Sequence, residues 1–141
     1  MEKRTFEAPK SLDGEGFRSL IEAGSRSVTG LLEEINSLNV FPVPDGDTGT
    51  NMALTLQSAL SSHEVPDVGT GNVAEISKGI ARGALLGARG NSGVIFSQFL
   101  KGFASALSDC VECDGPAIKK ALKRAADDAY KAVAVPVEGT M

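Results

Sequence analysis

The chain has 141 residues, 42% of them hydrophobic, with six Phe, one Tyr and no Trp. That is the length of one domain, with enough apolar material for a buried core. A net charge of −4 argues against broad binding to nucleic acid or to an anionic membrane surface. No apolar run reaches bilayer-spanning length, and the opening Met1-Glu2-Lys3-Arg4-Thr5-Phe6-Glu7 lacks the apolar stretch of a signal peptide. A cytoplasmic location is expected.

Residues 1–13 are polar and irregular, and a loose N-terminal arm is expected over 1–15, ahead of one domain from 16 to 141. From Gly16 to Leu38 the apolar positions Phe17, Leu20, Ile21, Val28, Leu31, Leu32, Ile35 and Leu38 recur at spacings of three and four, which predicts one amphipathic helix. Gly24 interrupts this stripe and is read as a close helix crossing. A loop over 39–49 leads to a second helix, 50–61, carrying Met52, Leu54, Leu56 and Leu60. Residues 62–71, with Pro66, Gly69 and Gly71, read as a loop, and His63 within it reads as solvated. Asn72 is a suitable N-cap for a third helix over 73–86, which buries Val73, Ile76, Ile80 and Leu85.

Three glycines in Gly87-Ala88-Arg89-Gly90-Asn91-Ser92-Gly93 end that helix and open a fourth, 92–107, with Val94, Ile95, Phe96, Phe99, Leu100, Phe103 and Leu107 as its stripe. After a polar connection over 108–115, Pro116 suits the first turn of a fifth helix, 116–134, with Ile118, Leu122, Ala125, Ala126, Ala129 and Val133 inward. No alternating strand pattern competes, so the fold class is all-α. Cys110 and Cys113 form Cys-x-x-Cys, but there is no second cysteine pair, His63 is distant, and the strand–turn–helix setting of a redox motif is missing. They are read as incidental reduced thiols.

Chemistry concentrates in residues 39–52, Asn-Val-Phe-Pro-Val-Pro-Asp-Gly-Asp-Thr-Gly-Thr-Asn-Met. Pro42 and Pro44 stiffen the approach, and Gly46 permits a tight turn between Asp45 and Asp47. Two carboxylates so placed suit a hard cation; magnesium takes one or two protein carboxylates and completes its shell with water and substrate phosphate. Thr48, Thr50 and Asn51 follow at the start of a helix, where free N–H groups suit an anion. Pro-Asp-Gly-Asp also has the composition of a surface turn, but a turn does not require the second Asp, two Thr and an Asn. The loop at 87–93 offers Arg89, Asn91 and Ser92 at another helix start, without the spacing of a P-loop or of the protein-kinase glycine loop.

With these two loops the chain resembles the nucleotide-binding domain of the dihydroxyacetone kinase L-subunit superfamily, and within it the kinase domain of the bacterial fatty acid kinase catalytic subunit. The residues that carry the resemblance are Leu38 to Met52, Gly87 to Ile95, and the closing Pro136-Val137-Glu138-Gly139-Thr140-Met141, which is similar to the start of a third family motif. The resemblance implies a barrel or bundle of antiparallel amphipathic helices binding ATP and Mg²⁺ at one end. By position, Asp45 and Asp47 match the metal-binding aspartates, Thr48, Thr50 and Asn51 line the phosphates, and Asn91, Ser92 and Gly93 belong to the second phosphate loop. Arg89 would offset developing charge. Asn39 is the nearest counterpart of a further acidic metal ligand in the dihydroxyacetone branch, although it is an amide at a different spacing.

The implied reaction is phosphoryl transfer from ATP to a fatty acid carboxylate presented by a separate lipid-binding protein, giving an acyl phosphate. No evident general base is present, which fits an acceptor that is already ionised. A small-triose kinase of the dihydroxyacetone branch and an inactive nucleotide- or metal-binding module are the alternatives. Because the family domain continues past the position of Met141, a C-terminally incomplete domain is expected, with weak or no activity alone and apolar faces that favour self-association.

Overall fold

The computed structural model describes residues 7–40 and 43–137. It is all-α: six helices, α1 (Gly14–Gly30), α2 (Leu32–Leu38), α3 (Thr48–Leu60), α4 (Val73–Leu86), α5 (Gly90–Ala106) and α6 (Gly115–Ala132), accompany two very short strands, β1 (Ser11–Leu12) and β2 (Cys113–Asp114). The strands pair antiparallel, Ser11 opposite Asp114 and Leu12 opposite Cys113. Helices adjacent in sequence pack on one another from α2–α3 through α5–α6, and α1 lies across α3 and α4.

Local chemistry accounts for the helix boundaries. Asp13 accepts the Gly16 N–H at 2.8 Å and starts α1. Asn72 and Glu75 form a reciprocal capping box at α4, and the carbonyls of Val111 and Cys110 accept the next two N–H groups, from Val73 and Ala74. Asp114 accepts from Ala117, with Pro116 in the first turn of α6. Phe17, Leu56, Ala59, Val73, Ile76, Ile80, Ala84, Leu100, Leu107 and Ala121 form the core. The Phe17 ring lies 6.2 Å from that of Phe103, tying α1 to α5.

Several expectations change. The segment 16–38 is two helices, broken at Leu31. Gly30 weakens the helix there, and just before it the Ser27 and Thr29 hydroxyls bond back to the carbonyls of Ala23 and Ser25. Leu20, Leu31 and Leu38 of the predicted stripe are exposed rather than core, and so are Leu85 of α4 and Leu122 of α6, both expected to face inward. Gly24 marks no crossing, since a β-carbon there meets nothing within 4 Å. The arm over 1–15 also gives way from Ser11 onward to β1 and α1, because β2 supplies a partner edge that local sequence does not reveal. The remaining helices begin or end within about two residues of expectation, the usual latitude of helix ends. Cys113 is buried and Cys110 half-buried, both as free thiols. Burial, with help from neighbouring Cys110 and Asp114, raises the Cys113 pKa above its ordinary 9.0. His63 is exposed, and among the described residues no helix is long and apolar enough to cross a membrane.

Candidate functional site

The two glycine-bearing loops meet at one end of the bundle. α3 starts at Thr48 with Asp47 as its N-cap, and α5 starts at Gly90 with Arg89 as its N-cap; neither capping side chain bonds its helix. Ser92 Oγ lies 3.3 Å from Thr48 Oγ1 and donates to it, joining the two helix starts directly. Between them opens a cavity of about 530 Å³ lined by Asn39, Val43, Asp45, Asp47, Thr48, Gly90, Asn91, Ser92, Val94, Ile95 and Ala132–Ala134. That volume is within the range of small-molecule sites, roughly 300–1,000 Å³. One half of the lining is polar and includes both carboxylates; the other is aliphatic, from the start of α5 and the end of α6.

The structure therefore brings Asn39, Asp45, Asp47, Thr48, Asn91 and Ser92 to one cavity. It sets Thr50 and Asn51 behind that surface, on the first turn of α3. Gly93 is buried in the α3–α5 crossing, where a β-carbon would come within 2.5 Å of Thr55 Oγ1. Its lack of a side chain serves helix contact rather than an open approach for a ligand. Arg89 is exposed and does not line the cavity; its backbone N–H donates to Thr55 Oγ1 at 3.2 Å. Gly90 holds φ of +61° directly against the Asn51 amide, a backbone region where other residues are disfavoured.

The loop between α2 and α3 is held by two amides at the end of α2, Asn36 in its last turn and Asn39 just past it. Asn39 Oδ1 accepts the Asp47 N–H at 3.0 Å and the Thr48 N–H at 3.3 Å, while its Nδ2 donates to the Val43 carbonyl at 3.1 Å. Asn36 Oδ1 accepts the Thr50 N–H at 3.1 Å, and its Nδ2 donates to Thr50 Oγ1 at 3.0 Å. The N–H groups expected to face an anion at α3 are thus largely taken by side-chain oxygens. At α5 the first turn has no capping side chain, so the N–H groups of Gly90, Asn91 and Ser92 are the ones suited to an anion. In this arrangement the Asn39 oxygen serves the backbone. Sequence reading missed Asn36, which sat inside an apparently continuous helix. It also missed Val43 and Ala132–Ala134, and it assigned Val94 and Ile95 to a core stripe although they border the cavity.

Asp45 and Asp47 flank Gly46, whose φ is +65°. Among the described residues neither carboxylate is engaged in an ion pair or side-chain hydrogen bond, and no cluster of three or more His, Cys, Asp or Glu suited to a metal occurs. Two uncommitted carboxylates beside a polar cavity fit a hard cation that takes its remaining ligands from water and phosphate. Phe41, Pro42 and residues 138–141, including most of the third motif, lie outside the described residues.

Paired aspartates and two joined helix starts thus border one cavity in an all-helical frame. The DAK2 domain model matches residues 42–141, and the chain belongs to that family. It is 42% identical over 132 residues to Protein YloV of Bacillus subtilis (strain 168), covering 94% of this chain and 24% of that protein. It is 41% identical over 130 residues to an uncharacterised protein of Staphylococcus aureus (strain USA300), covering 92% of this chain and 23% of that protein. A protein of Staphylococcus aureus (strain NCTC 8325 / PS 47) matches to the same extent. The chain spans about a quarter of the length of these curated relatives.

Proposed function

We infer that this chain forms the ATP- and Mg²⁺-binding part of a kinase that phosphorylates a fatty acid carboxylate presented by a separate lipid-binding protein. The observation that carries the nucleotide reading is the two-sided cavity. Its polar half combines Asp45 and Asp47 with the uncapped start of α5. Its aliphatic half, Val94, Ile95 and Val133, offers an apolar wall suited to a flat base. Phosphoryl transfer needs positioning and charge neutralisation more than covalent chemistry, and these residues are of the type that supply both.

Asp45 and Asp47 are the residues to hold Mg²⁺, which when bound neutralises phosphate oxygens. The N–H groups of Gly90, Asn91 and Ser92 would receive phosphate oxygens along the α5 axis, where the helix dipole favours negative charge. Thr48 Oγ1 accepts from Ser92, so its own hydrogen is directed elsewhere and remains for a ligand oxygen. Arg89, exposed beside the cavity, would approach developing charge only by reorienting its side chain. Among the described residues the cavity is lined by no histidine or lysine that would act as a base, which suits an ionised acceptor. The fatty acid as acceptor and its carrier protein rest on the resemblance of the two loops to fatty acid kinase.

The test is formation of acyl phosphate, trapped by hydroxylamine, from ATP and Mg²⁺ with a fatty-acid-loaded carrier protein. Acyl hydroxamate that disappears in Asp47→Ala supports the reading. Transfer to dihydroxyacetone instead would move the assignment to the other branch.

A further inference from the structure

We propose that Asn36 is a positioning residue of the nucleotide site: its neutral amide locks the start of α3, and through it the Asp45–Asp47 loop, in the geometry that binds Mg²⁺ and ATP. The proposal rests on the nucleotide-site reading above. Asn36 lies on the last turn of α2. Its backbone carbonyl, which any residue here would carry, stands beside Gly46, 3.7 Å from where a β-carbon would be placed; the side-chain contact is at the other end of the loop. Its side chain holds Thr50, 14 residues away, by both the backbone N–H and the hydroxyl oxygen.

The contact between α2 and α3 is unusually close. A β-carbon on Gly49 would stand 2.5 Å from the Leu32 carbonyl and 3.0 Å from Asn36 Oδ1. Gly49 is buried and admits this approach; Asn36 then uses it. Once α3 is fixed against α2, the direction of its first turn is set. Asp47 and Thr48, which begin that turn, face the cavity with no further adjustment.

The choice of amide follows from the chemistry. A carboxylate at this position would accept the Thr50 N–H equally well, since Asp and Asn are comparable helix caps. It would lose the donation from Nδ2, and the Thr50 hydroxyl would turn to donate to the carboxylate instead, so the pairing itself is kept. It would also add a third negative charge to a loop that already carries Asp45 and Asp47 and that must receive phosphates. The neutral amide satisfies Thr50 as fully as a carboxylate would and does so without adding charge beside the ligand. Asn39, three residues on, treats the other side of the loop in the same way.

The experiment separates this role from simple capping. Mg·ATP affinity and thermal midpoint are measured for the wild-type chain, Asn36→Asp, Asn36→Ala and Asn72→Ala. The last removes the α4 capping box, well outside the cavity lining. Asn36→Asp should keep the midpoint within a few degrees and still weaken Mg·ATP binding by at least about tenfold, the scale of the repulsion that one added negative charge exerts on the phosphates. Asn36→Ala should lose both stability and affinity, and Asn72→Ala stability alone. Wild-type affinity in Asn36→Asp overturns the positioning role while leaving the nucleotide site intact. An equal loss of affinity in Asn72→Ala also overturns it, because general stability would then explain the effect. A wild-type chain that does not bind Mg·ATP removes the site reading and this proposal together.

Discussion

Adding one methyl group at Gly93 should damage both the fold and the site. Gly93→Ala places its β-carbon 2.5 Å from Thr55 Oγ1, nearly an ångström inside ordinary contact. Thr55 is fully buried and cannot rotate freely: its hydroxyl donates to the Asn51 carbonyl at 2.7 Å and accepts the Arg89 N–H at 3.2 Å. Relief therefore comes either from rotating Thr55, which breaks two buried hydrogen bonds worth about 1 kcal/mol each, or from moving α5 away from α3, an overpacking cost of about 1–3 kcal/mol. A loss of roughly 1–3 kcal/mol is expected, which for a domain of this size lowers the melting temperature by about 5–10 °C. Separation of α3 and α5 would also part Thr48 from Ser92. Urea unfolding measures the first effect and calorimetric titration with Mg·ATP the second. Gly24→Ala is the contrast, since its β-carbon meets nothing, and it should stabilise by about 0.5–1 kcal/mol. Gly93→Ala with stability and affinity equal to wild type would refute the close-packing argument.

Asp47→Ala should abolish Mg²⁺-dependent nucleotide binding while circular dichroism and thermal midpoint stay near wild type, because a partly exposed loop carboxylate contributes little to the core; retained affinity in calorimetry would remove it from the metal site. Asn72→Ala should cost about 1 kcal/mol in urea unfolding through loss of the α4 cap. Cys113 should alkylate far more slowly than Cys110 at neutral pH, and mass mapping after limited iodoacetamide treatment reads this. The same thiol makes stability pH-dependent. Its folded pKa is raised above the ordinary 9.0, so its contribution is whole below that value and is lost as pH rises through the folded pKa. Cys113→Ser should flatten the decline in stability above pH 9, and an unchanged slope would speak against burial as its cause.

Periodicity and caps made most of the fold legible. The α4 boundaries follow from Asn72, Glu75 and a regular stripe, all of them local signals. What escaped notice depends on distant partners. Ser11 and Leu12 look irregular until Cys113 and Asp114 offer an edge. The break at Leu31 is masked because the apolar spacing continues across it, although Leu20, Leu31 and Leu38 face solvent. At the cavity, residue types and spacing had singled out Asp45, Asp47, Thr48 and Ser92, which the structure places in its lining, because carboxylates and hydroxyls beside glycines carry their chemistry in the sequence. Asn36 had no such signal: an asparagine inside a helix becomes informative only when Thr50 is seen against it. The aliphatic wall was equally hidden, since Val94, Ile95 and Val133 read as ordinary helix stripe until the cavity separates them from the core.

The central claim is that ATP and Mg²⁺ bind together between the starts of α3 and α5. Amide chemical shifts of the labelled chain, followed through titration with a non-hydrolysable ATP analogue with and without Mg²⁺, test it most directly. The account predicts Mg²⁺-dependent shifts concentrated at Asp45, Asp47, Thr48, Gly90, Asn91 and Ser92, with smaller changes at Val94 and Val133. No saturable change, or changes confined to the basic-rimmed groove of Lys78, Arg82 and Lys101 between α4 and α5, would contradict it.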